Sequence, residues 1–476
     1  QCARSLGVTR TPETAVLDQQ HRLVYRGRID DQYRFGGALP KPRRNDLEAA
    51  LQDILATRKV AVPETPVDGC LISLSAHESP AGNNLTFTEH VAPLIRKYCV
   101  DCHRAGTAAP FSLVTFDDVS KHSQMIAEVI REERMPPWYA SRLHGHFQND
   151  RSMKHSESRT IVQWIHSGMK TGDLTRLPSP VNVSKSPAWQ IGKPDLILTM
   201  LVPEQIPADG FVPYRYTVFP HIFLRDTWIE ALEIRPDNRR VVHHANLAYG
   251  SPGRKPGHET FITGYVPGGQ AMDLTHFDNG VSFRIPALSV LGLQIHYVTT
   301  GRPEQCRISV GIRFNRTPVK KRLHHRLLDP HGFRIPPGHS AWPVRESTTL
   351  PDDVTLLGLF AHMHVRGKDM TFFAHHPDGQ RETLLQIPNF SFDWQQAYEI
   401  QAGTKRLPGG TRLEAVAHYD NSPFNPFNPD PEKTVRYGPQ TIHEMMNGYA
   451  FFTVDSEQLN LQVDPKTGWT IPPADK

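Results

Sequence analysis

The segment VTLLGLFAHMH, residues 354–364, is typical of a β-strand, and it ends in two alternating histidines. Alternate residues of a strand lie on the same face of a sheet. His362 and His364 can therefore bind one metal ion without distortion of the strand.

Runs of the same kind recur through the C-terminal part of the chain, where helical patterns nearly vanish. They are rich in Val, Ile, Phe and Tyr, and clusters of Pro and Gly separate them. This pattern predicts a mainly β architecture of two antiparallel β-sandwich or jelly-roll domains, at residues 194–325 and 326–465, with a tail at 466–476. The predicted strands include residues 214–219, 241–249, 290–298, 354–360 and 412–418.

Further candidate metal ligands lie along these runs. His243 and His244 are adjacent. Neighbours in a regular strand point to opposite faces, so both rings can reach one ion only at a β-bulge or a strand end. His296 stands alone in an apolar strand, where an imidazole is more often a core residue than a ligand. Met445 offers a thioether, although methionine in a β core is usually a filler.

Together these four segments resemble, in order and approximate spacing, the copper type II, ascorbate-dependent monooxygenases, a family that includes dopamine β-monooxygenase and the peptidylglycine α-hydroxylating enzyme. The resemblance covers residues 200–460 and includes the loop GYVPG at 264–268. It implies two copper ions per chain. The implied ligands are His243, His244 and His296 for an electron-storing copper, and His362, His364 and Met445 for an oxygen-binding, catalytic copper.

The resemblance also implies the chemistry and the position of the substrate. Two imidazoles and a soft thioether favour Cu(I), the state that binds dioxygen, whereas three imidazoles accept both copper oxidation states. The implied reaction is the hydroxylation of an activated C–H bond of a small molecule or peptide by O2, with ascorbate as a candidate reductant. Phe360 replaces the arginine that anchors a carboxylate in the peptide-hydroxylating member, which argues against a peptidylglycine substrate. Asn447 and Tyr449 match polar residues of the substrate pocket.

A motif for covalent haem attachment precedes the β-rich part of the chain. Cys99, Cys102 and His103 form a Cys-x-x-Cys-His sequence, in which two thiols can add to one haem while the imidazole binds its iron. A zinc ribbon would need a second cysteine pair, which the sequence lacks. A thioredoxin-type redox pair would need a strand before the motif, whereas a helical pattern precedes it. Residues 77–177 are therefore predicted to be a small all-α cytochrome c-like domain with one haem c.

The sixth ligand of the haem iron is predicted to be Met135, because the Pro-Pro-Trp sequence that follows it forms a rigid loop. Met125 lies on the apolar side of a predicted helix and is expected in the core. Thr88 is expected to cap the first helix of this domain. A third helix is expected at residues 156–166, with Gly168 as its stop.

Residues 1–76 resemble the C-terminal half of a thioredoxin-like or peroxiredoxin-like domain, with two strands, a helix and a cis proline after Thr11. The half that would carry a reactive cysteine motif is not in the sequence, so the chain is expected to begin inside a domain. Cys2 and Cys70 have no evident redox role. Residues 178–193, rich in Pro, Ser and Asn, are predicted to be a linker. The helix is expected to bury Leu47, Ala50, Leu51, Ile54 and Leu55.

The composition of the chain limits the classes of binding partner and the cellular compartment that we expect. The net charge of +4 on 476 residues includes no long basic run, so a nucleic acid partner is not expected. No apolar run approaches the roughly 20 residues that a membrane helix needs. No signal-peptide pattern opens the chain. Because haem c is attached outside the cytoplasm, the protein is predicted to be exported, and to be periplasmic or secreted.

Three functional hypotheses are compatible with the sequence. The first is a copper monooxygenase that receives electrons from the fused haem c or from a separate redox donor protein. The second is a haem and copper electron-transfer protein, or a copper-binding protein, that hydroxylates no substrate. The third is a carbohydrate- or protein-binding module with incidental histidines. Met445 favours the first hypothesis, because copper storage does not require two unlike sites.

The remaining histidines are given minor roles. His443 lies two residues before Met445 and is a candidate substitute ligand or supporting residue. His418 is a candidate support of the pocket or a structural residue. Four others in two adjacent pairs are expected to be solvated, namely His324, His325, His375 and His376.

Overall fold

The computed structural model describes residues 5–34, 37–38, 41–72, 84–105, 107, 109–177, 189–210, 212–251, 260–277 and 280–472. The chain forms two compact units, one of Gln1–Trp138 with Arg151–Asn182 and one of Tyr139–Asp150 with Val183–Lys476. Most of the regular structure is antiparallel β-sheet, which confirms the predicted mainly β class. Cys2 and residues 178–188 of the predicted linker lie outside the described residues. No described helix is long and apolar enough to cross a membrane.

The described residues of the N-terminal part of the first unit form three short strand pairs and a helix. The Thr11–Pro12 peptide bond is cis, as expected. The strands are β1 Arg10–Thr11, β2 Thr14–Leu17, β3 Leu23–Gly27, β4 Tyr33–Arg34, β5 Gly37–Ala38 and β6 Cys70–Leu71, and helix α1 spans Asp46–Leu55. Strand β1 pairs with β6, β2 with β3, and β4 with β5.

Helix α1 packs through a narrower stripe than the sequence predicts. Ala50 is buried against Tyr25, and Leu47 and Ile54 pack beside them. The prediction is wrong for Leu51 and Leu55, whose exposed fractions are 40% and 85%. The i, i+3, i+4 spacing identified the helix correctly, but its neighbours cover only one row of its apolar face.

The rest of the first unit is helical. A π-helical turn at Phe87–Val91 leads into α2 Ala92–Tyr98, followed by α3 Phe116–Lys121, α4 Ser123–Arg131, α5 His155–His166 and a 3₁₀ turn at Leu174–Arg176. The N-cap of the first turn is Thr86, so the assignment of Thr88 as the cap is wrong, and Thr88 lies buried inside the turn. Gly168 follows α5 with a φ of 90°, as expected for a helix stop. Met125 is buried, as predicted.

The second unit begins with two sheets that share one hydrophobic core, here called the first sheet pair. The order β18-β14-β10-β17-β7, with β13 beside β10, makes the larger sheet, and the order β12-β11-β15-β9 makes the smaller one. Ile229 and Leu232 of the larger sheet pack in one core with Leu247 and Leu293 of the smaller. The strands are β7 Leu196–Thr199, β8 Glu204–Ile206, β9 Arg215–Phe223, β10 Thr227–Pro236, β11 Val242–Gly250, β12 Thr260–Tyr265, β13 Met272–Asp273, β14 Val281–Ile285, β15 Ser289–Tyr297, β16 Glu304–Cys306, β17 Ile308–Phe314 and β18 Lys321–Arg322.

Two further sheets, the second sheet pair, follow in the same unit. Their strand orders are β19-β29-β22-β25, with β26 beside β22, and β21-β27-β23-β24. Gly448 of β29 lies so close to the other sheet that an added Cβ would be 3.0 Å from Phe372 and 3.2 Å from Ala415. The strands are β19 His324–Leu328, β20 Arg334–Ile335, β21 Trp342–Thr349, β22 Val354–Met363, β23 Gly367–His375, β24 Arg381–Ile387, β25 Ala397–Glu399, β26 Arg406–Leu407, β27 Arg412–Tyr419, β28 Val435–Arg436 and β29 Met446–Val454.

All five strand runs predicted in the C-terminal part correspond to strands of these sheets, namely β9, β11, β15, β22 and β27. Two neighbouring segments add to the sheets. In Tyr139–Asp150, which the sequence assigns to the haem domain, the Gln148 amide donates to the Glu399 carbonyl at 2.8 Å. Near the C-terminus, the Leu461 amide donates to the Val319 carbonyl at 3.0 Å, so this segment returns to the first sheet pair.

Aromatic side chains join the two sheet pairs. The ring of Phe261 on β12 stacks on Phe360 of β22 at a centroid distance of 5.7 Å, and it lies 4.9 Å from Tyr449 of β29. These contacts bring β22 and β29 against the smaller sheet of the first pair. Each of the two facing sheets carries predicted metal ligands.

Candidate metal centre

A β-bulge brings the adjacent histidines of β11 to one place. Val242 pairs with Tyr297 of β15, whereas His244 pairs with His296, so the register shifts and His243 is the extra residue. A bulged residue leaves the regular alternation of the strand. His243 and His244 can therefore face the same site, which two adjacent residues of a regular strand cannot do.

The three imidazoles converge. Among the described residues, His243, His244 and His296 are the group of potential ligands whose donor atoms all lie within 4.8 Å of one another. The Nδ1 atoms of His243 and His244 are 3.1 Å apart. Two nitrogens bound to one ion at about 2.0–2.1 Å in tetrahedral geometry would be separated by about 3.3 Å. This first cluster therefore has the spacing of a three-nitrogen metal site.

Hydrogen bonding selects the ligand atom of His243. Its Nε2 lies 2.7 Å from Oδ1 of Asp393, which belongs to the second sheet pair. A carboxylate can only accept a hydrogen bond, so the ring hydrogen lies on Nε2 and the lone pair on Nδ1. That lone pair points toward His244, where a metal would bind.

Burial keeps the other two rings of the first cluster uncharged. It lowers the pKa of His244 and of His296 well below the usual value, and the neighbouring histidines add to the shift. His244 Nε2 and His296 Nδ1 are also buried without a hydrogen-bond partner in the described part of the chain. A neutral imidazole is the form that binds metal. A ring binds one ion through a single nitrogen, so His244 would use either its Nδ1, beside His243, or this unpartnered Nε2. A buried nitrogen without a partner is uncommon in a core that holds no metal or water.

Two more histidines form a second cluster on the facing sheet. His362 lies on β22, His364 follows its end, and their ring centroids are 5.2 Å apart. Both side chains are buried, and burial lowers the pKa of His364 to about 3 and the pKa of His362 in the same direction. The two rings therefore lie side by side, as alternate residues of a strand should.

In the second cluster the ring nitrogen left for a metal is Nε2, whereas in His243 it is Nδ1. His364 Nδ1 lies 3.1 Å from the His443 carbonyl, which can only accept a hydrogen bond. His362 Nδ1 contacts Oε1 of Gln395, whose Nε2 donates to the Phe392 carbonyl at 2.9 Å. Both Nδ1 atoms therefore carry the hydrogen, and both Nε2 atoms keep the lone pair for a metal.

Met445 immediately precedes the last paired residue of β29. Met363 pairs with Met446, and His362 with Asn447. The ladder ends at this pair, so His364 and Met445 are the residues that follow and precede it in the two strands. The Tyr419 hydroxyl donates to the Met445 carbonyl at 2.7 Å and holds the backbone there.

Behind the second cluster lies a buried polar network centred on Glu444. Its carboxyl oxygens accept the backbone N–H of His364 at 2.9 Å and of Arg366 at 2.8 Å. Burial raises the pKa of Glu444 to about 8, against the opposing effect of Arg366. Through these bonds the residue before Met445 is tied to the strand end that carries His364.

One phenylalanine contacts both clusters. The centroid of Phe392 is 5.6 Å from that of His243, 5.7 Å from His244 and 6.1 Å from His296, and it is 6.2 Å from His364. The rings of His244 and His364 can therefore be no more than about 12 Å apart. The two clusters are neighbours across the contact between the sheet pairs.

The predicted pocket residues lie on the same face of the second sheet pair. Phe360 pairs with Tyr449 in register, and Asn447 pairs with His362. The Oδ1 atom of Asn447 is buried and has no hydrogen-bond partner among the described residues. The arrangement therefore offers an unused acceptor beside the second cluster and an aromatic surface next to it.

The residues of the predicted haem motif follow one another at the end of α2. Cys99 follows α2 and is partly buried, and desolvation raises the pKa of its thiol to about 12. Cys102 and His103 lie in the next turn, and His103 Nδ1 is 3.1 Å from the Phe111 carbonyl. This bond leaves Nε2 of His103 as the lone-pair nitrogen for an iron. The cysteines and the histidine thus fit a haem c site.

Met135 remains the predicted sixth ligand. Its amide donates to the Val129 carbonyl at 3.1 Å, and its side chain is partly exposed. Met125 and Met153, the alternatives in this region, have exposed fractions of only 6% and are packed into protein. Met135 is thus the accessible thioether of the three.

The other histidines make more contacts with neighbouring protein groups than expected. The prediction of solvated rings is wrong, because three of them pair with carboxylates and are only partly exposed. The pairs are His324 with Glu457 at 3.3 Å, His375 with Glu414 at 2.7 Å and His376 with Glu382 at 3.5 Å. Burial lowers the pKa of His325. His418 pairs with Asp369 at 2.7 Å. The backbone carbonyl of His443 lies 3.1 Å from His364 Nδ1, and the Nδ1 atom of His443 is itself buried without a hydrogen-bond partner among the described residues.

Sequence reasoning missed several residues of the site. Phe392, Asp393 and Gln395 lie in a short segment without periodic pattern, and Tyr214 precedes β9. Tyr214 packs edge-on against His244 and His296, and its hydroxyl accepts a hydrogen bond from Thr441 of the second sheet pair at 3.1 Å. The one sequence signal for Phe392, Asp393 and Gln395 is a high density of aromatic and polar residues at 390–396 (FSFDWQQ).

Comparison with known proteins assigns no family. No family model and no curated protein matches the sequence. Among solved structures, the chain is similar to the major capsid protein P2 of bacteriophage PM2, with 9% identity, 55% of this chain and 98% of that chain covered, and a TM-score of 0.24. A peptide-N(4)-(N-acetyl-β-D-glucosaminyl) asparagine amidase gives 11% identity, the same coverages and a TM-score of 0.29. Scores this low carry no inference about fold or function.

Proposed function

We propose that this protein is a copper-dependent monooxygenase. The proposed architecture is two β-sandwich, or jelly-roll, domains that hold the two clusters, preceded by a cytochrome c-like domain and a partial thioredoxin-like segment. The observation that carries the proposal is the meeting of two unlike groups of imidazoles at one phenylalanine ring, with burial lowering the pKa of four of the five.

The unlike donor sets suggest different chemical roles for the two sites. Three imidazoles, from His243, His244 and His296, suit a copper that changes oxidation state, and two imidazoles with the Met445 thioether suit Cu(I). Bound copper would supply one-electron transfer at the first cluster and reductive activation of O2 at the second. The net reaction is R–H + O2 + 2 e⁻ + 2 H⁺ → R–OH + H2O.

The chain's own residues would orient the substrate and exclude water. Phe261, Phe360 and Tyr449 offer an apolar wall next to the second cluster. The unpartnered Oδ1 of Asn447 would accept a hydrogen bond from an N–H or O–H group of the substrate. With phenylalanine at position 360, this wall supplies no cation for a carboxylate, which favours a neutral small molecule.

The electrons are proposed to come from the haem c held by Cys99, Cys102 and His103, with Met135 as the sixth ligand. Ascorbate or a redox donor protein would be the external source. A haem c protein is assembled outside the cytoplasm, so the proposal includes a periplasmic or secreted location.

Copper analysis combined with oxygen uptake tests the proposed function. The wild type should bind two copper ions and, without a substrate, reduce O2 to H2O2 with ascorbate as the two-electron reductant. Met445→Leu removes the thioether at nearly constant volume, and Met446→Leu is the matched control on the opposite face of β29. We expect Met445→Leu to lower the O2 uptake rate at least tenfold and Met446→Leu to leave it within about twofold.

Other outcomes discriminate between the hypotheses. Two bound coppers with O2 uptake that is equal in the wild type and Met445→Leu would favour an electron-transfer or copper-binding protein. A chain without stoichiometric copper would favour a binding module. Rapid mixing of reduced haem with copper-loaded protein, O2 and a substrate tests the electron source, because a haem that stays reduced would contradict its role.

A further inference from the structure

Residues 392–395, Phe-Asp-Trp-Gln, form a segment of the second sheet pair that reaches both clusters; we call it the bridging segment. Asp393 contacts His243 of the first cluster, and Gln395 contacts His362 of the second. Phe392 packs against rings of both. No other described segment makes side-chain hydrogen bonds to ligand imidazoles of both clusters.

Asp393 holds the His243 ring of the first cluster through the nitrogen that faces away from the proposed metal. Its carboxylate is 23% exposed and lies 2.7 Å from His243 Nε2. His243 is the bulged residue of β11, so the regular ladder does not hold its ring in place. A carboxylate behind a metal-binding imidazole fixes the ring orientation and raises its basicity. Removal of Asp393 would leave His243 free to rotate or to present the other nitrogen.

Gln395 fixes the second cluster in the same way. Its amide is itself oriented, because Nε2 donates to the Phe392 carbonyl at 2.9 Å and Oε1 is left to accept from His362 Nδ1. The side chain is 8% exposed. A hydrogen bond in such a buried place is costly to break without replacement.

We infer that Asp393 and Gln395 are positioning residues, each of which selects the ligating nitrogen of one histidine, and that the bridging segment thereby sets the two proposed copper sites against each other. This inference rests on the proposed function for the identity of the metal. It goes beyond that function because it assigns roles to residues that are not ligands.

Copper affinity at each site, measured separately, tests the inference. His364→Gln weakens the second cluster and isolates the first, and His296→Gln does the reverse. Competition with a Cu(I) chelator then gives each affinity. We expect Asp393→Ala to weaken copper binding at the first cluster about 10- to 100-fold, and Gln395→Leu to weaken it at the second by a similar factor. Each should leave the other cluster within about threefold.

Matched variants separate positioning from folding. Asp369→Ala removes an equivalent partner, since Asp369 is 25% exposed and lies 2.7 Å from His418, outside both clusters. It should leave both copper affinities unchanged. Asp393→Asn and Gln395→Glu retain an acceptor oxygen, so they should restore part of the lost affinity. The Cu(II) EPR hyperfine coupling of the first cluster should change in Asp393→Ala and not in Asp369→Ala.

A measurement on copper-free protein tests the positioning roles independently of the proposed function. The ¹⁵N shifts of His243 in copper-free protein should report a hydrogen on Nε2, and this signature should be lost in Asp393→Ala. If affinity, EPR and ring shifts are all unchanged in that variant, the inference is wrong while the proposed function stands. Equal losses at both clusters in either variant would indicate collapse of the segment and would also overturn it. A wild type that binds no copper overturns both proposals.

Discussion

Acid should destabilise the second unit through the buried histidines, and replacement of His364 by glutamine should reduce that effect measurably. His364 is buried and uncharged in the folded chain, where its pKa is about 3. In the unfolded chain its pKa returns to about 6.5. The folded state therefore binds fewer protons than the unfolded state between pH 6.5 and 3, and the free energy of unfolding falls as the pH falls through that window.

The magnitude follows from the difference between the two pKa values. A difference of about 3.5 corresponds to about 5 kcal/mol, accumulated at about 1.4 kcal/mol per pH unit. The pKa values of His244, His296 and His362 are lowered in the same direction by burial, so they add to the slope in the wild type. Copper-free protein should therefore lose several kcal/mol of stability between pH 6 and pH 4.

Urea unfolding of copper-free protein at pH 6, 5 and 4, followed by near-ultraviolet circular dichroism, measures this slope. His364→Gln should lose about 1.4 kcal/mol less per pH unit than the wild type. Met363→Leu is the control, because Met363 is the adjacent buried residue and carries no titrating proton. It should shift the free energy of unfolding at every pH without altering the slope.

An unchanged slope in His364→Gln would refute the reasoning. It would mean that the ring keeps an ordinary pKa in the folded state, so that it would be protonated, and unable to bind metal, below about pH 6.5. A slope that changes equally in Met363→Leu would show that general loosening of the strand end, rather than proton linkage, controls acid stability.

Three other perturbations have defined outcomes. Gly311→Ala should lower the free energy of unfolding by about 1–3 kcal/mol in a urea titration, because its Cβ would lie 2.7 Å from the Trp189 ring; an unaffected midpoint would contradict that packing. Tyr214→Phe removes the hydroxyl that accepts from Thr441 and should cost about 0.5–1.5 kcal/mol with unchanged copper content, whereas loss of copper would indicate a larger role. Met135→Leu should lower the haem reduction potential in a redox titration, since a thioether ligand raises it, and an unshifted potential would exclude this residue as the ligand.

The resemblance implied the three histidines of the first cluster, whereas strand periodicity by itself gave only the condition under which His243 and His244 can share an ion. Two adjacent histidines on one strand can share an ion only where alternation fails, and the register shift at His243 is such a place. The pair His362 and His364 needs only the period of two, and it converges without a bulge. Local rules of this kind can be read from a single segment.

The bridging segment could not be predicted by the same means. Asp393 lies 150 residues from His243 in sequence, and their contact depends on how one sheet pair packs against the other. No periodicity marks residues 392–395, and an aspartate in a turn is ordinarily a surface residue. Long-range packing, rather than local pattern, decides which polar side chains reach the histidines.

Helix α1 shows the limit of periodicity in the first unit. The spacing correctly indicated a helix, but Leu51 and Leu55 are exposed because the described neighbours cover only the row that contains Ala50. A sequence pattern states which face is apolar. It does not state how much of that face finds a partner.

The one-residue bulge in β11 has a consequence for protein design. Without the extra residue, His244 would still face His296 across an ordinary antiparallel ladder and would offer a site of only two nitrogens. A single inserted histidine next to a facing pair thus creates the third donor without any change in the rest of the sheet. Designers who want a three-imidazole cage on a β scaffold could begin from a facing pair and add one residue, rather than recruit a third strand.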